Sequence, residues 1–275
     1  MDSLGAFFAA NRRNWDERVP IHRRDRSGFY AVEWFLAGEK HLQAIEWAEL
    51  SDVAGKRLIH LQCHFGLDTL ILARHGALVT GLDFSPAAID EAQLLAKQTG
   101  LSAEFVCANV YDARRALTGD FDIAYTTWGT ICWLPDLMGW ARTIAALLVP
   151  GGYLYFTDAH PNMLILEERD GRLVHEFPLD TPADRPLIFD EAHTYNDDPA
   201  PLAATRTFQW IHSLSRIFGA LLAAGLTLDF LHEHPGLPWP PFPMCERGAE
   251  GLWHLPDRIP AFPLAVSLRA RKAQA

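Results

Sequence analysis

Between residues 57 and 158 the chain repeats one unit: a short apolar run, a turn, then a stretch of helical spacing. "RLIHL" (57–61) leads into "LDTLILARHG" (67–76), which stops on Gly76. "ALVTGLD" (77–83) leads into "PAAIDEAQLLAKQTG", with Ser85 as the cap, Pro86 at the first helical position and Gly100 at the end. "AEFVCA" (103–108), "FDIAYTT" (121–127) and "YLYFTD" (153–158) read as three more strands, with a helix over 136–148 that stops at Pro150-Gly151-Gly152. Strands alternating with helices in this way require a mostly parallel sheet with helices on both faces. Right-handed crossovers make that sheet open and doubly wound. Ligands bind such sheets at the carboxyl ends of the strands, where the strand order reverses. The working edge is therefore expected at three turns: 62–66, 83–85 and 127–133.

The flanks lack this rhythm. Residues 1–50, with Trp15, His22, Tyr30 and Trp34, are expected to form a helical cap over an α/β domain of residues 51–275. Residues 160–206 are rich in Pro, Asp and Glu and hold short strand-like pieces, "RLVHEF" and "RPLIF". A structureless loop of that length is improbable in a compact domain, so an inserted lid or small antiparallel unit is expected at about 160–212. "TFQWIHSL" alternates as a strand would, which places Trp210 and His212 on one face. A helix "SLSRIFGALLAAG", a strand "LTLDFLHE", a rigid loop "PWPPFP" and a last strand "FPLAVSLRAR" follow.

Charge excludes some partners. The net charge of −10 is the wrong sign for a nucleic-acid binder, which needs a dense positive footprint. The run Arg12, Arg13, Arg18, Arg23, Arg24 and Arg26 is interleaved with Asp16, Glu17 and Asp25, and reads as a solvated helix face or loop. No apolar run approaches the ~18–20 residues that span a bilayer, and the start of the chain does not read as a signal peptide. Cys63, Cys107, Cys132 and Cys245 are widely spaced, as expected of reduced thiols in a cytoplasmic protein.

The turn after the first strand, "LIHLQCHFGLDT" (58–69), allows three readings. His60, Cys63 and His64 are metal donors by type, but a structural zinc site wants four ligands in paired clusters, and no second Cys/His pair stands at matching spacing. The segment could also be strand and turn with no ligand role. The third reading is a cofactor loop. Strand, tight turn at Gly66 and helix come in order, and Asp83 ends the next strand, where a carboxylate takes both hydroxyls of an adenosine ribose. Glycine repeats serve close approach to a diphosphate. Gln62 and His64 stand where those glycines would be, so a cofactor with adenosine and no phosphates fits better.

These residues resemble the class I, Rossmann-like S-adenosylmethionine-dependent methyltransferases, over roughly 55–160 with sheet completion at 213–270. In that family the first motif is an acidic residue followed by Gly-x-Gly-x-Gly. Here "HLQCHFG" puts His60 in place of the acid. It is similar to a subgroup in which "LHLQCHFG-DTL" is followed by "GLDFS"; "GTICWLPD" and "LVPGGYLYFTDAHP" also look like that subgroup. The resemblance implies a seven-stranded, mostly parallel sheet with an antiparallel last strand and S-adenosyl-L-methionine as cofactor. The aromatic-rich, acidic chain suggests a small-molecule acceptor, and no metal, nucleic acid or membrane is expected from the spacing, charge and apolar runs above. The resemblance further implies that Gln62, Cys63 and Gly66 line the methionine portion. Asp83 would hold the ribose, with Phe84 on the adenine and Ser85 capping the next helix. Asn109 would meet the adenine amino group and Val110 the base. Thr127, Trp128 and Gly129 would lie near the sulfonium, where a tryptophan face attracts a cation.

Methyl transfer needs alignment and exclusion of water, and a general base only if the nucleophile must lose a proton. His160, two residues past Asp158, is the expected base; the alternative is a histidine that caps backbone ahead of Pro161. His193, Tyr195, Trp210 and His212 in the insertion are expected near the acceptor, His212 as a second catalytic candidate. Trp15, Tyr30 and Trp133 complete the expected substrate pocket, with core packing the alternative for Trp128 and Trp133. Two other functions fit the sheet: a cofactor-binding sensor without turnover, and a nicotinamide-dependent reductase. The absence of the diphosphate glycine turn weighs against the second.

Overall fold

The strand-helix rhythm resolves into seven strands in the computed structural model, which describes residues 3–39, 41–50, 52–196 and 198–274. Of the segments expected from sequence, Met1, Asp2, Lys40, Ser51, Asp197 and Ala275 lie outside the described residues. The strands are β1 (Arg57–Leu61), β2 (Leu78–Asp83), β3 (Ala103–Cys107), β4 (Phe121–Thr127), β5 (Leu148–Ala159), β6 (Leu226–His234) and β7 (Ala265–Lys272). They lie in the order β6-β7-β5-β4-β1-β2-β3. β7 runs antiparallel to both its neighbours, and the pairs among β1 to β5 are parallel. The order reverses between β1 and β4, so their turns diverge and open a crevice at the carboxyl edge.

Both faces of the sheet are covered, as the continuous apolar strands require. On one face Trp140 and Ile144 of α7 (Leu137–Leu147) and Ile217 of α9 (Leu214–Ala223) cluster with Ile59, Leu61 and Phe156. On the other, Leu70 and Ile71 of α4 (Leu67–Arg74) and Ile89 and Leu95 of α5 (Pro86–Thr99) cluster with Leu58, Val79 and Tyr125. The helix signals act as the sequence suggests: Ser85 accepts from the Ala88 N–H, and Gly100 closes α5 with φ 68°. β5 starts earlier than expected, because the chain passes from α7 into the strand at Leu148 without a turn.

Three helices precede the sheet: α1 (Ser3–Arg23), α2 (Val32–Ala37) and α3 (Ala44–Glu49). α1 binds the insertion through side chains. Asn11 exchanges two hydrogen bonds with the Phe208 backbone, Asn14 donates to Ala204 O, and Glu17 accepts from Ala203 and Ala204. The arginine run is therefore not wholly solvated. Arg18 is 3% exposed; it donates to Asn14 at 2.7 Å and to Thr194 at 3.3 Å, and its guanidinium stacks over the Trp15 and Tyr195 rings.

The insertion holds α8 (Pro161–Leu164) and two hairpins, 166–169 with 172–175 and 187–190 with 206–209. The strand expected across "TFQWIHSL" ends at Gln209. The Trp210 N–H donates at 2.7 Å to Cys132 O, in the loop after β4, and so leaves the hairpin. After β6 a small antiparallel sheet joins 236–237, 253–254 and 246–247, and the proline-rich segment 238–243 is the loop between its first strand and 246–247. No described helix is long and apolar enough to cross a membrane.

Candidate active site

A cavity of about 630 Å3 opens at the carboxyl edge of β1, β2 and β4. Its floor is the turn "QCHFG". Gln62 and His64 both adopt left-handed backbone, φ 59° and 49°, as does Gly66 at 76°. The turn keeps the path that glycines would take while carrying two large side chains, at about 1–2 kcal/mol of strain for each non-glycine position. Each strained residue is tied down. The Gln62 amide donates at 2.9 Å to Thr130 O. The His64 N–H donates at 2.9 Å to Asp83, and the His64 ring bonds the His22 ring at 2.9 Å, which in turn bonds Thr194 at 2.7 Å. Gly66 has a further reason to be glycine: a Cβ there would stand 2.6 Å from the Phe105 ring.

The three donor-type residues of this turn do not converge. His60 bonds Thr69 at 2.8 Å, His64 bonds His22, and burial pushes the Cys63 thiol well above its ordinary value. No group of three or more His, Cys, Asp or Glu that could hold a metal ion occurs among the described residues.

Asp83 ends β2 and is 6% exposed. One oxygen accepts from the His64 N–H and the other from the Ser85 N–H, both at 2.9 Å. Burial raises its pKa to about 6 against the pull of those backbone donors. Phe84, Asn109 and Val110 continue this wall; the Asn109 side-chain oxygen already accepts from the Tyr111 N–H at 3.1 Å. Ser85 is off the wall. It caps α5 and donates to Asp16 of α1 at 2.6 Å, docking the cap helix on the sheet.

The loop after β4 supplies Thr127, Trp128, Gly129, Thr130 and Trp133. Its shape depends on Asp158, a residue that sequence reading treated only as a landmark. The buried Asp158 carboxylate accepts from the backbone N–H groups of Gly129, Thr130, Ile131 and Ala159. Trp128 is held at φ 44°.

Of the expected cofactor residues, Gln62, Cys63, Gly66, Asp83, Phe84, Asn109, Val110, Thr127, Trp128 and Gly129 line the cavity, and Ser85 does not. Of the expected substrate residues, Trp15, Tyr30, Trp133 and Tyr195 line it. Trp15 meets the rings of His64 and Trp133 edge-on, at 5.1 and 5.4 Å, and the Tyr30 and Tyr195 hydroxyls bond each other.

Trp210, His160 and His212 do not line the cavity. Trp210 is fully buried and donates to Ala183 O at 3.2 Å. His160 caps α8, accepting from the Asn162 N–H at 3.1 Å, and its other nitrogen bonds Glu233 at 3.1 Å. His212 bonds Leu134 O at 2.7 Å, and burial lowers its pKa to about 4. Trp34 is exposed on α2 and His193 is exposed in the insertion.

The structure adds wall residues that sequence reading missed. Glu46 of α3 is 1% exposed and lines the cavity. It accepts a short hydrogen bond from Tyr125 of β4 and a 2.9 Å bond from the Gln43 N–H. Burial, reinforced by the charge of Asp68, raises its pKa to about 7, with Tyr125, Trp128 and the Gln43 N–H pulling the other way. Trp253 reaches the cavity from the small sheet and Trp239 from the loop that follows 236–237.

Residues 59–156 match the model of a family described as a methyltransferase domain, a little over a third of the chain. The ubiquinone biosynthesis O-methyltransferase of Vibrio parahaemolyticus is 30% identical over 138 residues, 47% of this chain and 58% of the relative. That of Coxiella burnetii is 36% identical over 112 residues, 39% of this chain and 45% of the relative. The chain thus spans about half the length of the curated relatives it matches. Among solved structures, an S-adenosylmethionine-dependent methyltransferase from Mesorhizobium loti superposes with a TM-score of 0.57 at 21% identity, covering 86% of this chain and 100% of that one. One described as such from Listeria monocytogenes gives 0.58 at 17% identity, covering 83% and 97%. The fold is the Rossmann-like methyltransferase fold.

Proposed function

We propose that the chain is an S-adenosylmethionine-dependent methyltransferase acting on a small-molecule acceptor. The observation that carries this reading is Asp83: a buried carboxylate at the carboxyl end of β2, held by two backbone N–H groups and with no basic side chain bonded to it among the described residues. Each of its oxygens keeps acceptor capacity, which matches the paired hydroxyls of a ribose.

The site suits an adenosine without phosphates. The side chains of Gln62 and His64 occupy the turn that a diphosphate would need in glycine. The described wall carries the carboxylates of Glu46, Asp68, Asp83 and Glu250, against Arg247 as its single Lys or Arg. A diphosphate would meet like charge there, and this disfavours the nicotinamide-dependent alternative.

When bound, S-adenosylmethionine supplies a methyl carbon activated by its sulfonium and open to in-line displacement. The chain's part is to hold and orient. Asp83, Phe84, Asn109 and Val110 form the adenosine side of the cavity, and Trp128 offers a π face to a cation. Trp15, Tyr30, Trp133 and Tyr195 add aromatic rings to the cavity wall, which serve to exclude water. Proton transfer has a minor place in this reading. His160 and His212 are off the wall, and burial together with neighbouring charge depresses His22 to about 3 and His64 well below its ordinary value. Alignment of an acceptor that is already nucleophilic is the mechanism that the residues favour.

The test is calorimetric titration of S-adenosylhomocysteine, and separately NADH, into the full chain. Micromolar binding of the first and none of the second is expected. Binding of NADH without S-adenosylhomocysteine refutes the reading. Formation of S-adenosylhomocysteine from the cofactor across an acceptor panel then separates an enzyme from a sensor.

A further inference from the structure

The small antiparallel sheet after β6 supplies one end of the cavity wall. In the pairing of 246–247 with 253–254, Arg247 lies directly opposite Trp253. Residues opposed in this way share a face, and both line the cavity. Trp239 lines it too, and meets the Trp128 ring edge-on at 6.0 Å. Trp128, Trp239 and Trp253 pack on one hydrophobic cluster with the buried Leu237, Phe242 and Leu264. In the cofactor reading Trp128 faces the sulfonium, so this wall would begin where the methyl group leaves.

Arg247 is the only Lys or Arg on the cavity wall among the described residues. Its guanidinium makes one hydrogen bond among them, a long one from Nε to Gly251 O at 3.3 Å. Glu250, the acid of the same turn, bonds His254 instead. Both terminal nitrogens of the fork therefore keep their donors, and a ligand would meet them without breaking an internal ion pair. Such a fork matches the two oxygens of a carboxylate. Tryptophan walls suit a flat aromatic body, through stacked and edge contacts. A single cation shares the cavity with Glu46, Asp83 and Glu250, so it balances one negative charge and leaves a doubly charged phosphate opposed.

We propose that Arg247 anchors a carboxylate of the methyl acceptor while Trp239 and Trp253 flank its ring, so that the acceptor class is small aromatic acids. This rests on the methyltransferase reading above. Arg247 determines which molecule enters and how it is oriented, and takes no part in the transfer itself.

The experiment is calorimetry on the full chain saturated with S-adenosylhomocysteine, using 2-naphthoate and its neutral counterpart of like shape, 2-naphthamide. Wild type is expected to bind the naphthoate roughly 10-fold or more tightly than the amide, the size of a charge-assisted hydrogen bond. Arg247→Gln should bring the two probes within about twofold of each other and leave S-adenosylhomocysteine within about twofold of wild type. Equal binding of the probes to wild type, or no binding of the naphthoate, overturns the anchor without any variant. A preference that survives in Arg247→Gln also overturns it. So does a matching loss of S-adenosylhomocysteine, which would put Arg247 on the cofactor. Should Arg247→Gln fail to fold, Arg247→Lys, which keeps the charge and loses the fork, is expected to weaken the naphthoate and spare the amide; unchanged naphthoate affinity there refutes the forked contact. Wild type that does not bind S-adenosylhomocysteine overturns the methyltransferase reading, and the same two probes on the bare chain then decide the anion anchor by itself.

Discussion

The ring of Phe105 lies across two glycines at once, and this gives a test of why the cofactor turn is built as it is. A Cβ on Gly66 would stand 2.6 Å from Phe105 Cε1, 2.7 Å from its Cζ and 3.1 Å from Ala92 Cβ, on backbone with φ +76°. A Cβ on Gly81 would stand 2.6 Å from Phe105 Cδ1 and 2.9 Å from Cys63 Sγ, on ordinary strand backbone. Both substitutions therefore overpack the same ring, at about 1–3 kcal/mol each. Gly66→Ala adds the left-handed penalty of about 1–2 kcal/mol. It recovers about 0.5–1 kcal/mol of chain entropy. The same entropy is recovered at Gly81, inside β2, so Gly66→Ala should destabilise by about 1–4 kcal/mol and Gly81→Ala by about 0–2.5 kcal/mol.

The two differ in how they can be rescued. In a Phe105→Leu background the shared clash is relieved, so Gly81→Ala should lose most of its penalty. Gly66→Ala should keep about 1–2 kcal/mol, the part that belongs to backbone and not to packing. Urea unfolding of the four single and double variants and of the two parents gives both coupling energies, provided that the slope with denaturant stays constant. Equal and complete rescue of both glycines would show that the left-handed turn carries no strain for alanine. No rescue of either would show that Phe105 is not what the glycines make room for.

Asp83→Ala should weaken S-adenosylhomocysteine by about 2–3 kcal/mol, because two hydroxyls lose their acceptor; calorimetry showing unchanged affinity would remove Asp83 from the ribose. His160→Ala should destabilise by about 1 kcal/mol as a lost cap and leave turnover at saturating substrate unchanged; a pH-dependent fall in turnover would restore His160 as a base. Burial raises Asp83 from 3.8 to about 6 and Glu46 from 4.5 to about 7. At these two groups the folded protein binds more protons than the unfolded chain across that span, so their contribution to stability is greatest below the unfolded values and is lost as pH rises through about 4 to 7. The buried His22 and His212, lowered to about 3 and about 4, act in the opposite sense. The check is therefore the melting difference between wild type and an Asp83→Asn, Glu46→Gln variant without ligand, which should fall from about pH 5 to pH 8; a difference that rises over this interval contradicts the assignment.

Most of the frame was legible because it rests on local rules. Ser85, Pro86 and Gly100 bracket α5 by capping chemistry that needs no tertiary partner, and the apolar runs at 57–61 and 121–127 are buried on both faces wherever a parallel sheet forms. Residues whose place is set by distant partners were not legible. Nothing in residues 1–50, read only as a helical cap, singles out Glu46, which is buried and bonded to Tyr125 on β4. Arg18 reads as one more surface charge, yet Asn14, Thr194 and two aromatic rings enclose it. His160 follows β5 and His212 lies in the insertion, but the His160 ring bonds the Asn162 N–H and Glu233 and the His212 ring bonds Leu134 O, partners that sequence does not reveal.

The same distinction explains "HLQCHFG". A glycine motif is read by residue type, whereas the cofactor meets a backbone path. Gln62 and His64 hold the left-handed path that glycine adopts freely, and the structure compensates them through Thr130 O, the Asp83 carboxylate and the His22 ring. Only Gly66, where Phe105 and Ala92 leave no room for a Cβ, stays glycine. The turn therefore keeps its backbone geometry while its side chains become part of the wall. Gln62 gains an amide over the β1 edge and His64 an aromatic contact with Trp15, neither of which a glycine could supply. Gln62→Gly and His64→Gly would relieve strain at the cost of those contacts. Loss of affinity despite an unchanged or higher melting temperature would show that the side chains were retained for the ligand rather than for the fold.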